Sequence, residues 1–189
     1  MVLCGAFLAT SMTSCGDDDP EENSGQQDEQ PKKEAATTAK VVITYGLDTD
    51  CDDEEEVMES VATITLSDGT TQTKTFENIP HNGEKSDSIV VTSGLPCSGT
   101  ITFTRKMKNY SSLDASRGYH VGGFDFEMKV ASLTDKGAVY DNHTILTYGL
   151  GTTDDSATPD ALFEIYGENG YTWTKKFNIT ESGLINLVE

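Results

Sequence analysis

Phe124-Asp125-Phe126-Glu127-Met128-Lys129-Val130 decides the fold class, because apolar and charged side chains alternate along it without a break. Successive side chains of an extended strand point to opposite faces, so this period of two sends the apolar set to one side and the charges to the other. It predicts a sheet with one wet face. The same pattern recurs upstream. Val41, Ile43 and Tyr45 alternate with Val42 and Thr44, Ile64 and Leu66 with Thr63 and Thr65, and Ile101, Phe103 and Met107 with Thr102, Thr104 and Lys106. Near the C-terminus Tyr171, Trp173, Phe177 and Ile179 alternate with Thr172, Thr174 and Asn178, which assigns Tyr171 and Trp173 to the core face rather than to an exposed sugar-stacking platform.

Between these runs stand Ser67-Asp68-Gly69-Thr70, Asp135-Lys136-Gly137 and Glu168-Asn169-Gly170, whose residues tolerate the positive φ of tight turns. Short strands separated by such turns every 8 to 12 residues or so predict an all-β fold, an antiparallel β-sandwich with Greek-key-like connections. A closed barrel is the alternative. Gly122-Gly123 suggests a bulge inside a strand opening at Tyr119. One segment departs from the pattern: Thr158 as N-cap, Pro159 in the first turn and Gly167 past the end spell a short helix over 159–166, with strand as the competing reading. Thr44-Tyr45-Gly46-Leu47 recurs as Thr147-Tyr148-Gly149-Leu150, which reads either as two related edge strands or as a chance match.

The N-terminus has a different character. Residues 1–10 are mostly apolar, and Met12-Thr13-Ser14-Cys15 precedes Gly16-Asp17-Asp18-Asp19. An apolar run of about 10 residues is too short to span a bilayer, which takes about 20, but it suits a signal-peptide core. Met12 to Cys15 resembles the lipobox of bacterial lipoproteins, with Met12 where leucine is usual. That resemblance implies a signal peptide over 1–14, removed ahead of a lipid-carrying Cys15. Stable anchoring takes more than one acyl chain, each buried methylene contributing about 0.8 kcal/mol, and a diacylated, N-acylated Cys15 meets that condition. No Lys or Arg precedes the apolar run, which points to a natural start upstream of Met1.

Residues 15–39 hold eight acids, two lysines and no β-branched apolar or aromatic side chain, too little to offset the entropy of ordering, and read as a flexible acidic tether. Its run of acids resembles the signal by which Bacteroides-type bacteria send lipoproteins to the outer face of the outer membrane. Residues 40–189 remain as one domain. Of the net charge of −19, the tether accounts for −6 and the domain for −13. Such a surface repels phosphate backbones and argues against a nucleic-acid partner.

Val41 to Leu47, an acidic connection, Ala62 to Thr70 and then Asn78-Ile79-Pro80 are together similar to a group of small Bacteroides-type surface lipoproteins. The resemblance implies an address and a fold but no activity.

Candidate chemistry is sparse. Counted from Asp48, acids occupy positions 1, 3, 5, 7, 9 and 12 of an acidic loop; Asp48, Asp50, Asp52, Glu54 and Glu59 form a candidate calcium site by oxygen-ligand spacing. Asp53 stands where the turn wants glycine, so a solvated loop is the competing reading. Cys51 and Cys97 are a candidate disulfide in an exported protein, closing a loop worth roughly 4 kcal/mol in the chain-entropy model. Asp87-Ser88-Ile89 and Asp155-Ser156-Ala157 resemble the three-residue motif at which these bacteria attach O-glycans, nominating Ser88 and Ser156. His81, His120 and His143 fall in unrelated settings without metal or triad spacing. No catalytic residue is assigned. The leading expectation is therefore a non-enzymatic lipoprotein, membrane-held through its lipid and presenting loops to a protein or glycan partner. Behind it stand a calcium-dependent carbohydrate-binding module and a glycan hydrolase whose paired carboxylates are set by space rather than sequence.

Overall fold

Alternation becomes strand wherever one face of it finds a partner layer. In a computed structural model that describes residues 34–47, 53–77, 86–150 and 156–188, β1 (Ala36–Leu47) leads through a four-residue helix α1 (Glu54–Val57) into β2 (Met58–Leu66) and β3 (Thr71–Phe76). The chain continues through β4 (Ser86–Gly94), β5 (Cys97–Met107), β6 (Phe124–Thr134) and β7 (Val139–Leu150). It closes with α2 (Pro159–Tyr166), β8 (Tyr171–Ile179) and β9 (Ile185–Val188). Two sheets result, in the orders β4-β1-β6-β7 and β3-β2-β5-β8-β9. Every pairing in them is antiparallel.

The inner faces meet in one core. Ile43 and Tyr45 from β1 and Phe126 and Met128 from β6 pack against Ile64 of β2, Ile101 and Phe103 of β5, and Phe177 and Ile179 of β8, all buried. Each large apolar side chain so enclosed contributes roughly 1.5–3 kcal/mol, which makes the facing layers, rather than any one hairpin, the source of stability. The architecture is a β-sandwich, and the barrel reading is set aside.

Several expectations change in detail. β1 begins at Ala36, so residues 36–39, assigned to the tether, belong to the sheet. Ala36 and Ala39 are buried while Thr37 faces outward, and residues this small carry too weak a hydropathy signal to register. Gly122-Gly123 lies ahead of β6 and not within a strand; Tyr119 forms an isolated bridge with Ala157. Half-buried Trp173 packs on the core against Phe103 and Phe126, while Tyr171 is 44% exposed, against the expected core placement. The reason is that β9 pairs only with Lys176–Ile179, leaving residues 171–175 of β8 uncovered along that side. The helix over 159–166 forms as expected, with the Thr158 hydroxyl accepting from the Ala161 amide at 3.4 Å.

Connections sort by end. Near Ala36 the strands are joined by short turns, at 67–70, 95–96, 135–138 and 180–184. At the opposite end, where Leu47, Phe76, Met107, Phe124, Leu150 and Tyr171 terminate or begin their strands, lie the longer connections, with α1, the 108–123 loop and α2 among them.

Candidate functional site

Arg105 occupies a core-face slot. It follows Ile101 and Phe103 and precedes Met107 in the inward register of β5, and it is fully buried at 0% exposure. A guanidinium cannot be taken out of water without a counter-charge. α1 supplies one: Arg105 Nη1 and Nη2 donate to Glu54 Oε1 and Oε2 at 2.5 and 2.9 Å. Nη1 also donates to the Tyr45 hydroxyl at 2.8 Å and to Ser60 Oγ at 3.1 Å, and Ser60 Oγ donates to Tyr45 at 3.2 Å. The guanidinium lies over the Phe124 ring, 4.3 Å from its centroid. Burial works against its charge, but the Glu54 carboxylate and the hydroxyls of Tyr45 and Tyr166 outweigh burial and raise its pKa above the ordinary value. The group stays charged at every physiological pH and has no proton to exchange.

One layer further out, the Asp53 carboxylate accepts from Arg117 and from the His120 amide, the latter at 2.8 Å. Arg117 also reaches Glu56 at 3.0 Å and lies 4.5 Å from the centroid of the Tyr119 ring. Tyr119 in turn accepts from the Asp114 amide at 2.8 Å. Under these polar contacts sits a second small core of Val57, Met58, Met107, Tyr119, Leu162 and Tyr166. It ties α1, the 108–123 loop and α2 to the end of the sandwich. Beside the hub opens a cavity of about 210 Å³ lined by Tyr45, Glu54, Ser60, Phe76, Glu77 and Lys108. Its walls are mixed in charge, with Glu54 and Glu77 facing Lys108 among polar and aromatic side chains.

The same end carries exposed aromatic surface. Tyr110 and Phe163 pack with ring centroids 4.8 Å apart, 38% and 37% exposed, and the Tyr110 hydroxyl donates to Asp160, which raises its pKa. Tyr171 lies on this end too, its hydroxyl donating to the Ile165 carbonyl at 2.7 Å.

Of the candidate calcium ligands, Glu54 and Glu59 lie among the described residues. Glu54 is turned inward with both oxygens engaged by Arg105, so it is withdrawn from the ligand set. Glu59 lies on β2 and pairs with Lys106 at 3.1 Å. Asp48, Asp50 and Asp52 lie outside the described residues, as do Cys15, Cys51 and His81. Cys97 is a free, buried cysteine whose thiol burial pushes up. It opens β5 at the end of the sandwich where the turns are short.

Ser88 is exposed on β4 opposite Thr44, in strand rather than loop, and Ser156 is exposed just ahead of the Ala157 bridge. His120 is exposed, and His143 lies 3.5 Å from Asp141. The hub itself is the feature that reading for catalysis passes over. Its signal was present as a charge in an otherwise apolar register, Ile101, Phe103, Arg105, Met107.

Comparison with known proteins returns no match: no family model, no curated protein and no solved structure resembles this chain.

Proposed function

We propose that the chain is a cell-surface binding lipoprotein of accessory or adhesive type, held in the outer membrane through acylated Cys15, facing the exterior, and carrying out no catalytic step. The observation that carries the reading is the division between the two ends of the sandwich. The chain enters β1 at Ala36, where the turns are short, and the Tyr110–Phe163 pair stands on the long connections at the opposite end. An anchor ahead of Ala36 joins the chain at the short-turn end, so the long connections are not the point of attachment. Exposed aromatic side chains are the kind that dominate binding energy at interfaces. The charged groups beneath them support the same reading, because Arg105–Glu54 and Arg117–Asp53 are closed pairs that hold the loops in place.

The test is binding of the full chain to arrays of host glycans and matrix proteins, comparing Tyr110→Ser and Phe163→Ser with Asp68→Asn and Lys136→Gln in the turns near Ala36. Loss of an array signal with the first pair only is the expected result. Equal loss with both pairs, or hydrolysis of an arrayed glycan, would overturn the reading.

A further inference from the structure

The repeated tetrapeptide has a structural meaning. Thr44-Tyr45-Gly46-Leu47 in β1 and Thr147-Tyr148-Gly149-Leu150 in β7 flank β6 on its two sides in the same register. Phe124 faces Leu47 and Leu150, Asp125 faces Gly46 and Gly149, Phe126 faces Tyr45 and Tyr148, and Glu127 faces Thr44 and Thr147. Met128 extends the match to Ile43 and Leu146, after which an extra residue in β7 ends it.

The two copies differ in what lies beyond them. On its far side β1 pairs with β4, Ile43 facing Ile89, Thr44 facing Ser88 and Tyr45 facing Asp87. Among the described residues no strand occupies the equivalent place beside β7. The glycines differ as well. A Cβ at Gly46 would come within 2.7 Å of the movable carboxylate of exposed Asp125, whereas one at Gly149 would find only ordinary contacts at 3.7 Å, so packing within the chain does not require the second glycine. The other open side of this sheet is guarded. Lys74 crosses from β3 to donate to Asp87 Oδ1 at 2.6 Å and to the Ser88 carbonyl at 3.0 Å, the kind of device that keeps an edge from recruiting strands. Leu146 to Leu150 carries neither a charge nor a proline.

We propose that the open side of β7 over Leu146–Leu150 is an acceptor edge, taking up an extended antiparallel segment of a partner protein that, like β4, sets β-branched apolar residues between small polar ones. Main-chain hydrogen bonds would supply affinity and the alternate side chains specificity. A foreign strand is favoured over a second copy because each copy carries −19, which opposes self-association. The inference deepens the binding role proposed above and rests on it for the existence of a partner, but the edge itself is testable without the membrane anchor or any array ligand.

The probe is a synthetic peptide of residues 86–94, Ser-Asp-Ser-Ile-Val-Val-Thr-Ser-Gly, added to the full chain, with two N-methylated versions that block one or the other of its hydrogen-bonding edges. Saturable binding that one methylation pattern weakens at least tenfold and the other leaves intact, with amide-exchange protection rising over Leu146–Leu150, is the expected result. Several outcomes would overturn the proposal: no binding at millimolar peptide, equal effects of the two patterns, protection over Thr44–Gly46 in place of β7, or dimerisation through β7 in sedimentation without peptide.

Discussion

Tyr45 and Tyr148 face the same residue, Phe126, from opposite sides of β6, yet only Tyr45 holds the hydroxyl that accepts from Arg105. One tyrosine therefore sits in a polar hub and the other at the rim of the core against Trp173, with ring centroids 4.7 Å apart. Replacing each hydroxyl separates the two roles. Tyr45→Phe removes an acceptor from a buried cation and is expected to cost about 1–2 kcal/mol. Tyr148→Phe should cost about 0.5 kcal/mol or less, as for changes away from buried networks. Urea unfolding of both variants measures the contrast.

Breaking the ion pair has a larger effect. Glu54→Ala leaves Arg105 buried at 0% exposure without its counter-charge, which is expected to destabilise by roughly 3–5 kcal/mol. The double variant Glu54→Leu with Arg105→Met removes both charges and should recover most of that loss, since a buried pair is often worth little over an apolar replacement. A double-mutant cycle on chemical unfolding gives the coupling.

Gly170 is required twice over. Its φ of +65° lies in the left-handed region, and a Cβ there would run into the Arg105 carbonyl and the Lys106 backbone. Gly170→Ala should therefore lower stability by at least about 1–3 kcal/mol, more than Gly137→Ala, where φ is +78° but nothing lies within 4 Å. Thermal melts of the two variants side by side test the difference.

Cys97 gives a pH dependence. Burial raises its thiol pKa above the ordinary 9.0. The native state then holds a proton that the unfolded chain gives up, so this contribution is complete below pH 9 and declines as pH rises through the folded value. Cys97→Ser is expected to lessen the fall in stability on the alkaline side of pH 9. Labelling with a thiol reagent at pH 8 should be slow in the native state and accelerate with urea.

Much of the fold was legible because burial and alternation coincide: Phe124, Phe126, Met128 and Val130 are all buried while Asp125 and Lys129 are exposed. The α2 helix was legible for a local reason, since the Thr158 cap and Pro159 act within a single turn. What escaped depended on distant partners. Glu54 reads as a loop acid until Arg105, 51 residues away, is brought beneath it. Tyr171 reads as core until the shortness of β9 leaves its stretch of β8 without a neighbour. The recurrence of Thr-Tyr-Gly-Leu was visible in the sequence, but its meaning lies in a shared register against β6 that only pairing reveals.

The proposed surface role depends most directly on Cys15 as the point of attachment. Intact-mass spectrometry of the protein extracted in detergent from its native membranes should find a chain that starts at Cys15 and is heavier by the mass of its acyl groups. A chain with a bare thiol at that position, recovered without detergent, would contradict it.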